Sequence, residues 1–398
     1  MHKIERLLQT LAPKGVEFRK LGEVLEYDQP NKYCVTSKEF DESYPTPVLT
    51  AGKTFILGYT NEKDNIYQAS KSSPVIIFDD FTTATQWVDF PFKVKSSAMK
   101  ILLPKNPTIN IRFIFFYMQT IPYNISGEHT RQWISRYSQI TIPIPPLEIQ
   151  QEIVKILDAF TELNTELNTE LKARKKQYEY YQNMLLDFND INQNHQDAKM
   201  SAKPYPKRLK TLLQTLAPKG VEFRKLGEVC DFQKGKSITK KAVTFGKVPV
   251  ISGGRQPAYY HNEANRSGET IAISSSGVYA GYVSYWDIPV FLADSFSVSP
   301  KQKTLMPKYL FHYLTTQQDA IHATKSTGGI PHVYSKDLQN FLIPIPPLEI
   351  QQEIVKILDQ FSILTTDLLA GIPAEIKARK KQYEYYREKL LSFKPLKA

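Results

Sequence analysis

IPIPPLEIQQEIVKILD at residues 142–158 returns letter for letter at residues 343–359. It reads as a strand running into a helix. Thr141-Ile142-Pro143-Ile144 is extended, because proline lacks a ladder donor and keeps the residue before it out of the helical region. Pro145-Pro146 sets a proline in the first helical turn, where a missing N–H costs nothing. Glu148 and Glu152 lie near the positive end of the helix dipole. Apolar residues then recur at Ile149, Ile153, Ile156, Phe160, Leu163 and Leu167, in alternating steps of four and three, which is a heptad seam. The copy repeats it at Ile350, Ile354, Ile357, Phe361, Leu364 and Leu368. A helix from Leu147 to about Leu186 would span roughly 60 Å. Its stripe must be covered, and the cover at hand is its own duplicate in an antiparallel pair; dimerisation with another chain is the alternative.

Two further blocks are shared. LLQTLAPKGVEFRKLGEV covers Leu7–Val24 and Leu212–Val229, and KARKKQYEYY covers Lys172–Tyr181 and Lys377–Tyr386. Three blocks in one order mean a duplicated unit of half the chain. Between the first two blocks the halves barely match, so residues 25–141 and 230–342 form divergent interiors inside an identical frame. One scaffold presenting two different surfaces explains that pattern; drift alone would also have touched the frame.

The helices differ midway. The first carries TELN-TELN-TELK from Thr161, whose Leu163, Leu167 and Leu171 insert a stutter into the heptads. The second has Gly371-Ile372-Pro373, a stop and restart that predicts a break or kink. Tyr178, Tyr181, Tyr383 and Tyr386 are expected in the core beside solvated basic runs, with a DNA-backbone or protein-partner role for these runs as the secondary reading. Asp187–Pro206 is polar and reads as a linker. In the interiors, residues 74–78, 92–94, 248–251, 270–273 and 282–285 resemble strands, and residues 112–120 and 306–323 helices.

The chain has 398 residues, 41% hydrophobic and 23% charged, enough for two domains each with a core. Its formal charge of +11 favours a polyanionic partner. Cys34 and Cys230 form neither a zinc spacing nor a disulfide framework, which points to a reducing cytoplasm. Met1–Arg6 opens no signal peptide, and no apolar run approaches the roughly 18 residues of a membrane span. The sequence holds no phosphate-binding or dinucleotide glycine loop, no Asn-Pro-Pro-Tyr run and no H-E-x-x-H. Asp79-Asp80 could ligate a nuclease metal, but neighbours on a strand point to opposite faces and no Glu-x-Lys completes the set, so a structural turn is expected. Nothing argues for a catalytic residue.

What remains is polar, basic and aromatic decoration of the kind a DNA surface uses, with Lys and Arg on phosphates and polar side chains at base edges. The first interior offers Lys53, Lys71, Thr82, Thr83 and, in the loop Gly127–Arg136, Arg131, Gln132, Trp133 and Arg136. The second offers Lys236, Arg255, Gln256, Ser274, Ser275 and Ser276, with Lys325 and His332 in the loop between them. The two loops sit about a dozen residues before the shared IPIPP, as two readers of different half-sites would.

The alternation of variable interior and frame resembles the specificity subunits of type I restriction–modification systems, over essentially the whole chain; residues 142–181 and 343–386 carry the most specific part. The resemblance implies an α+β chain: two globular α/β target-recognition domains joined by two long antiparallel coiled-coil helices, in pseudo-two-fold arrangement. The domains would be residues 1–141, spacer helix 142–190, linker 191–206, residues 207–342 and spacer helix 343–398. It also implies a cytoplasmic, non-catalytic subunit that reads a split site in double-stranded DNA. Its partners would be two methyltransferase subunits and the restriction subunits, with no membrane. S-adenosylmethionine, ATP and magnesium would belong to those partners, leaving no cofactor or metal here. The tetrapeptide tract looks like repeats that some members carry in the first spacer. Rival readings are a coiled-coil protein adaptor and a stand-alone methyltransferase or nuclease.

Overall fold

A computed structural model describes residues 2–50, 54–122, 131–189, 203–301, 303–326, 329–366 and 371–396. The chain separates into two compact units, Met1–Leu167 with Ile376–Ala398, and Asn168–Glu375. The boundaries run through the long helices rather than at their ends, so each unit combines one divergent interior with part of each frame helix.

Unit 1 begins with α1 (His2–Leu11), β1 (Glu17–Lys20), the short α2 (Leu21–Val24) and β2 (Leu25–Asp28). There follow β3 (Thr46–Leu49), β4 (Ile56–Thr60), β5 (Val75–Asp79), β6 (Thr85–Val88), β7 (Lys93–Val94), β8 (Met99–Pro104), α3 (Ile111–Met118) and β9 (Thr141–Ile144). An antiparallel sheet runs β2-β8-β5-β6, and a smaller one runs β4-β3-β7 with β3 and β7 parallel. The frame strands β1 and β9 form a separate antiparallel pair, with Glu17 opposite Ile144. Every residue of β5 is buried, because the sheet is covered on both faces. The apolar α3 lies against it, its first turn capped by the Asn110 side chain, which accepts from the Arg112 and Phe113 amides.

Unit 2 repeats this plan. The first frame block gives α5 (Lys207–Leu216), β10 (Phe223–Lys225), α6 (Leu226–Val229) and β11 (Cys230–Lys234), after the 40-residue α4 (Leu147–Leu186). The interior supplies β12 (Val248–Ile251), β13 (Tyr259–His261), β14 (Thr270–Ser274), β15 (Val283–Trp286), β16 (Phe291–Leu292) and β17 (Ser295–Pro300). Then come α7 (Pro307–Thr316), α8 (Gln318–Ala323), α9 (Ser335–Leu338) and β18 (Leu342–Pro344). The sheets β11-β17-β14-β15 and β13-β12-β16, and the pair β10-β18, match those of unit 1 strand for strand. Divergent sequences have therefore kept one topology. The single helix expected over residues 306–323 is divided at Gln317, where ψ moves to 10° and the Thr315 and Thr316 hydroxyls bond back to the carbonyls of His312 and Tyr313.

The second frame helix is in two pieces, α10 (Leu348–Thr366) and α11 (Ile372–Leu390), with Pro373 in the first turn of the latter. The heptad reading of these helices needs correction. The fully buried row is Ile149, Ile153 and Leu157 in α4, and Ile350, Ile354 and Leu358 in α10, all 0% exposed. Ile156 and Ile357 are half-buried and Leu364 is exposed, while Leu368 lies outside the described residues. The helix serves two partners: the i, i+4 row packs into the interior of its unit, and a second stripe meets the other frame helix. In unit 1, Ile156, Phe160, Gln382, Tyr386 and Leu390 line one cavity in antiparallel order. The core tyrosines behave as expected, Tyr178 and Tyr181 packing into unit 2 and Tyr383 and Tyr386 into unit 1. Among the described residues no helix is long and apolar enough to cross a membrane.

Candidate nucleic-acid interface

Identical frame residues hold both interiors, largely by backbone atoms. Gln150 Oε1 accepts from the Asn110 amide at 2.8 Å, and its Nε2 donates to the carbonyls of Thr108 and Pro145 at 3.1 and 2.7 Å. Gln351 does the same in unit 2, with the Met306 amide at 2.9 Å and the Thr304 and Pro346 carbonyls at 2.8 and 2.7 Å. Frame aspartates add an ion pair whose partner varies: Asp158 with Arg112 at 2.8 Å, Asp359 with Lys308 at 2.6 Å. Asp359 also meets His312 Nε2 at 3.1 Å. Burial raises the Asp359 carboxyl, but His312 and Lys308 outweigh it and leave the group below its ordinary value. A grip on main-chain groups tolerates almost any side chain beyond it.

In unit 1 the β5–β6 turn is joined to the Arg131–Arg136 segment through Asp80. Asp79 caps the turn, accepting from the Phe81 and Thr82 amides and from Thr82 Oγ1 at 2.5 Å. Thr83 at the tip takes φ 59°. Asp80 is buried, 3.5 Å from the equally buried Lys100 ammonium, and its Oδ1 accepts from the Trp133 amide at 2.8 Å. Both carboxylates are committed to the fold, as the structural-turn reading expects. Thr82, Arg131 and Arg136 are exposed around this junction and Thr83 is half-buried; Lys71 is exposed on the tight turn before β5.

Two candidates move out of the surface. Gln132 and Trp133 are 1% and 2% exposed. The Trp133 ring lies edge-on to Phe78 at 5.1 Å and stacks near Tyr137 at 6.1 Å, so it belongs to the core of unit 1 rather than to a base-reading face. Their residue types suggested a surface loop, but the segment is anchored inward through Asp80. Lys53 and the residues Gly127–Thr130 lie outside the described residues.

Unit 2 builds the corresponding junction with other side chains. The β14–β15 hairpin is zipped to the loop before α9: Val333 donates to the Ser275 carbonyl at 2.9 Å and Gly277 to the Pro331 carbonyl at 3.0 Å. Ser276 Oγ donates to Asp294, and Ser275 N donates to the Asp294 carbonyl. The turn after β12 closes over this pair, where Gly253 passes so near the Ser276 carbonyl that a Cβ would sit 2.5 Å from it. Arg255 follows that turn, exposed, its guanidinium 5.0 and 5.5 Å from the ring centres of Tyr279 and Tyr282. Gln256 and Lys236 are exposed; Ser275, Ser276, Lys325 and His332 are half-buried, and Ser274 is buried with its hydroxyl on the Ser252 carbonyl. The His332 ring stacks on Tyr334 at 5.9 Å. Burial, with Lys325 and Arg255 close by, holds the His322 imidazole below its usual value despite Asp319. The structure thus brings Arg255, Ser275, Ser276 and His332 together. Tyr279, Tyr282 and Asp294 join them without any local motif to announce them.

The doubled scaffold, with unlike polar loops held at the same place in each copy, has a counterpart in sequence. The pattern described as "Type I restriction modification DNA specificity domain" matches residues 13–176 and again 218–378. The chain belongs to the specificity subunits of type I restriction–modification systems. It is 40% identical to the EcoR124I/EcoR124II specificity subunit of Escherichia coli over 426 residues, covering 99% of this chain and 97% of that protein. It is 30% identical to a putative type I specificity subunit of Haemophilus influenzae, covering 98% of each. The crystal structure of the type I S subunit from M. genitalium superposes with a TM-score of 0.65 at 18% identity, covering 95% of this chain and 96% of that one, which shows a shared fold.

Within this specificity subunit, one scaffold signal inside the divergent regions escaped the sequence reading. Lys105 Nζ donates to the Gly22 carbonyl at 2.6 Å and Lys301 Nζ to the Gly227 carbonyl at 2.8 Å, each lysine closing the last sheet strand onto the frame. Both follow a proline, Pro104 and Pro300, so a shared Pro-Lys dipeptide at equivalent positions was the trace to find.

Proposed function

We propose that this non-catalytic subunit reads a split double-stranded DNA site, one part with each unit, and positions two methyltransferase subunits and the restriction subunits on it in the cytoplasm. The observation that carries this is the repeated frame with its Gln150 and Gln351 grip: one scaffold carries two interiors of the same topology whose loops differ, which is what two readers of different half-sites require. In unit 1 the reading surface comprises Lys71, Thr82, Thr83, Arg131 and Arg136, with Lys53 added from sequence. In unit 2 it comprises Lys236, Arg255, Gln256, Ser275, Ser276, Lys325 and His332. Lysines and arginines neutralise phosphates and set register, and Arg255, pre-oriented by two tyrosines, is suited to a bidentate contact with guanine. The chemistry lies in the partners, which bind S-adenosylmethionine, ATP and magnesium.

Co-expression with its methyltransferase partner and genome-wide mapping of methylated bases tests the reading. The expected result is one motif of two short specific parts separated by a gap of fixed length. A continuous motif, or methylation indifferent to this chain, overturns it.

A further inference from the structure

The β14–β15 turn and the loop before α9 each carry a branched apolar side chain in polar and cationic surroundings. Val278 is 81% and Ile330 67% exposed. Ser276 pairs antiparallel with His332, and Gly277 donates to the Pro331 carbonyl, so Val278 and Ile330 are the next residues out from this contact, Val278 in the turn that Gly277 opens at φ 84°. The pair stands on a fixed base. Gly281 closes the turn at φ 87° by donating to the Ser274 carbonyl at 2.7 Å, and a Cβ there would press on Ile321 and His322. Ala280, Ile321 and Val333 are buried beneath it. On the other side of the loops, Ser326 and His332 exchange hydrogen bonds, Ser326 N to the His332 carbonyl at 3.0 Å and His332 N to Ser326 Oγ at 3.3 Å.

Two β-branched side chains held in water beside one backbone contact lose free energy in proportion to their apolar area, and they recover it only when covered. The rim indicates by what. Arg255 lies over Tyr279 and Tyr282, Lys336 sits 5.5 Å from the Tyr334 ring centre, and Lys325 adjoins Ser326. Apolar side chains with cations on the same loops are complementary to a polyanion that offers an apolar spot, and in the major groove that spot is the C5-methyl group of thymine. The unit 1 turn has Thr82 and Thr83 at the corresponding tip.

We propose that Val278 and Ile330 form a specificity ridge that packs on a thymine C5-methyl group in the half-site read by unit 2. The proposal rests on the DNA-reading function above and names one base feature that unit 2 reads.

The test uses the complex with its methyltransferase subunits and duplexes carrying the mapped site. Each thymine of the unit 2 half is replaced in turn by deoxyuridine, which removes the methyl group alone. Wild type is expected to bind about four-fold more weakly at one such position, the value of one buried methyl-sized group. The V278A/I330A complex is expected to bind the thymine duplex more weakly and to show no thymine-over-uracil preference there. If the double variant fails to fold, V278T keeps the branched shape and should reduce the preference. Equal binding of thymine and uracil duplexes by wild type overturns the ridge, as does an unaltered preference in the variants or a half-site without thymine. Loss of the methyltransferase subunits from the variant, with the preference intact, makes the ridge a protein contact and also overturns it. These outcomes leave two-part reading standing. Wild-type complex that modifies no two-part site removes the underlying function and the ridge together.

Discussion

The ring of Phe160 stacks on that of Tyr386, with centres 5.5 Å apart and planes 28° from parallel. Unit 2 repeats the contact with Phe361 on Tyr181, at 5.1 Å and 24°. In each unit the Phe comes from the start of one frame helix and the Tyr from the end of the other, so the duplicated motif is completed only by its copy. Removing either phenylalanine should therefore weaken its own unit. We expect Phe160→Ala and Phe361→Ala each to lower stability by about 2 kcal/mol, less than a fully buried ring because both are half-buried. A Phe160/Tyr386 double-mutant cycle in urea should show a coupling of roughly 1 kcal/mol. Additive single effects would mean that the stacking is incidental.

The glutamine grip predicts matched losses in unrelated surroundings. Gln150→Ala leaves the Asn110 amide and the Thr108 and Pro145 carbonyls without this partner, and Gln351→Ala does the same to the Met306 amide and the Thr304 and Pro346 carbonyls. Unmade buried hydrogen bonds cost about 1–3 kcal/mol each, so each variant should lose several kcal/mol. Because the geometry is the same, the two losses should agree within about 1 kcal/mol. Denaturant melts of the two variants measure this directly. A large loss from one glutamine only would show that the frame is not used equivalently.

Trp133 and Arg131 are neighbours that should fail in opposite ways. Trp133→Ala empties a buried site between Phe78 and Tyr137 and should cost about 3–5 kcal/mol of stability. Arg131→Ala, on the exposed side of the same loop, should leave melting unchanged, weaken DNA binding and reduce the salt-dependence slope by about one. Salt titrations of DNA affinity alongside thermal melts separate the two. A Trp133 variant of native stability would return that residue to the surface.

Glu62 gives unit 1 an acid-sensitive clasp. Burial raises its carboxyl, but Lys93 at 2.7 Å, the Ser37 and Thr36 amides and the Thr36 hydroxyl overcome that and hold it at about 2. Since the folded value lies below the ordinary 4.5, the folded state favours the ionised form. This contribution is fully present above about pH 4.5 and is lost as pH falls toward 2. Urea midpoints should drop between pH 5 and pH 3 in wild type. Glu62→Gln, already weaker at pH 7, should drop less over the same interval. A parallel fall in both would place the acid sensitivity elsewhere.

Much of the frame was legible because repetition marked it. The span of α4 from Leu147 to Leu186, the strand Thr141–Ile144 and the shared arrangement of the interiors all follow from blocks that recur in order. The burial of Leu157 and Leu358 was not legible: a heptad template assumes one partner, whereas these helices face two. The Gln150 grip left no mark beyond the residue itself, since its targets are backbone groups that every sequence possesses. Arg255 could be named from its loop, but its tyrosines, more than twenty residues on, are brought to it by the sheet. Trp133 was misplaced for a related reason. Its amide is bound by Asp80, and a pairing over that separation has no periodic signature.

The tetrapeptide tract predicts a link between helix length and the spacing of the DNA site. α4 runs unbroken through Thr161–Asn168, with Thr161 and Thr165 hydroxyls bonding back to the Leu157 and Thr161 carbonyls, so a change in repeat number alters length without interrupting the helix. Leu163, Leu167 and Leu171 remain half-buried, and a deletion of one TELN unit preserves their spacing of four. Four residues amount to about 6 Å and a turn of about 400°, one revolution plus 40°. A DNA base pair advances about 3.4 Å and turns roughly 35°. One repeat therefore corresponds to one or two base pairs in translation and about one in residual rotation. Deleting Thr165–Asn168 should keep both half-site sequences and shorten the gap between them by one or two base pairs, read from the methylation map of cells carrying the variant. The loops proposed to read bases are untouched by the deletion, so a changed half-site sequence would mean that α4 shapes the reading surfaces themselves. An unchanged gap would mean that α4 does not set the separation.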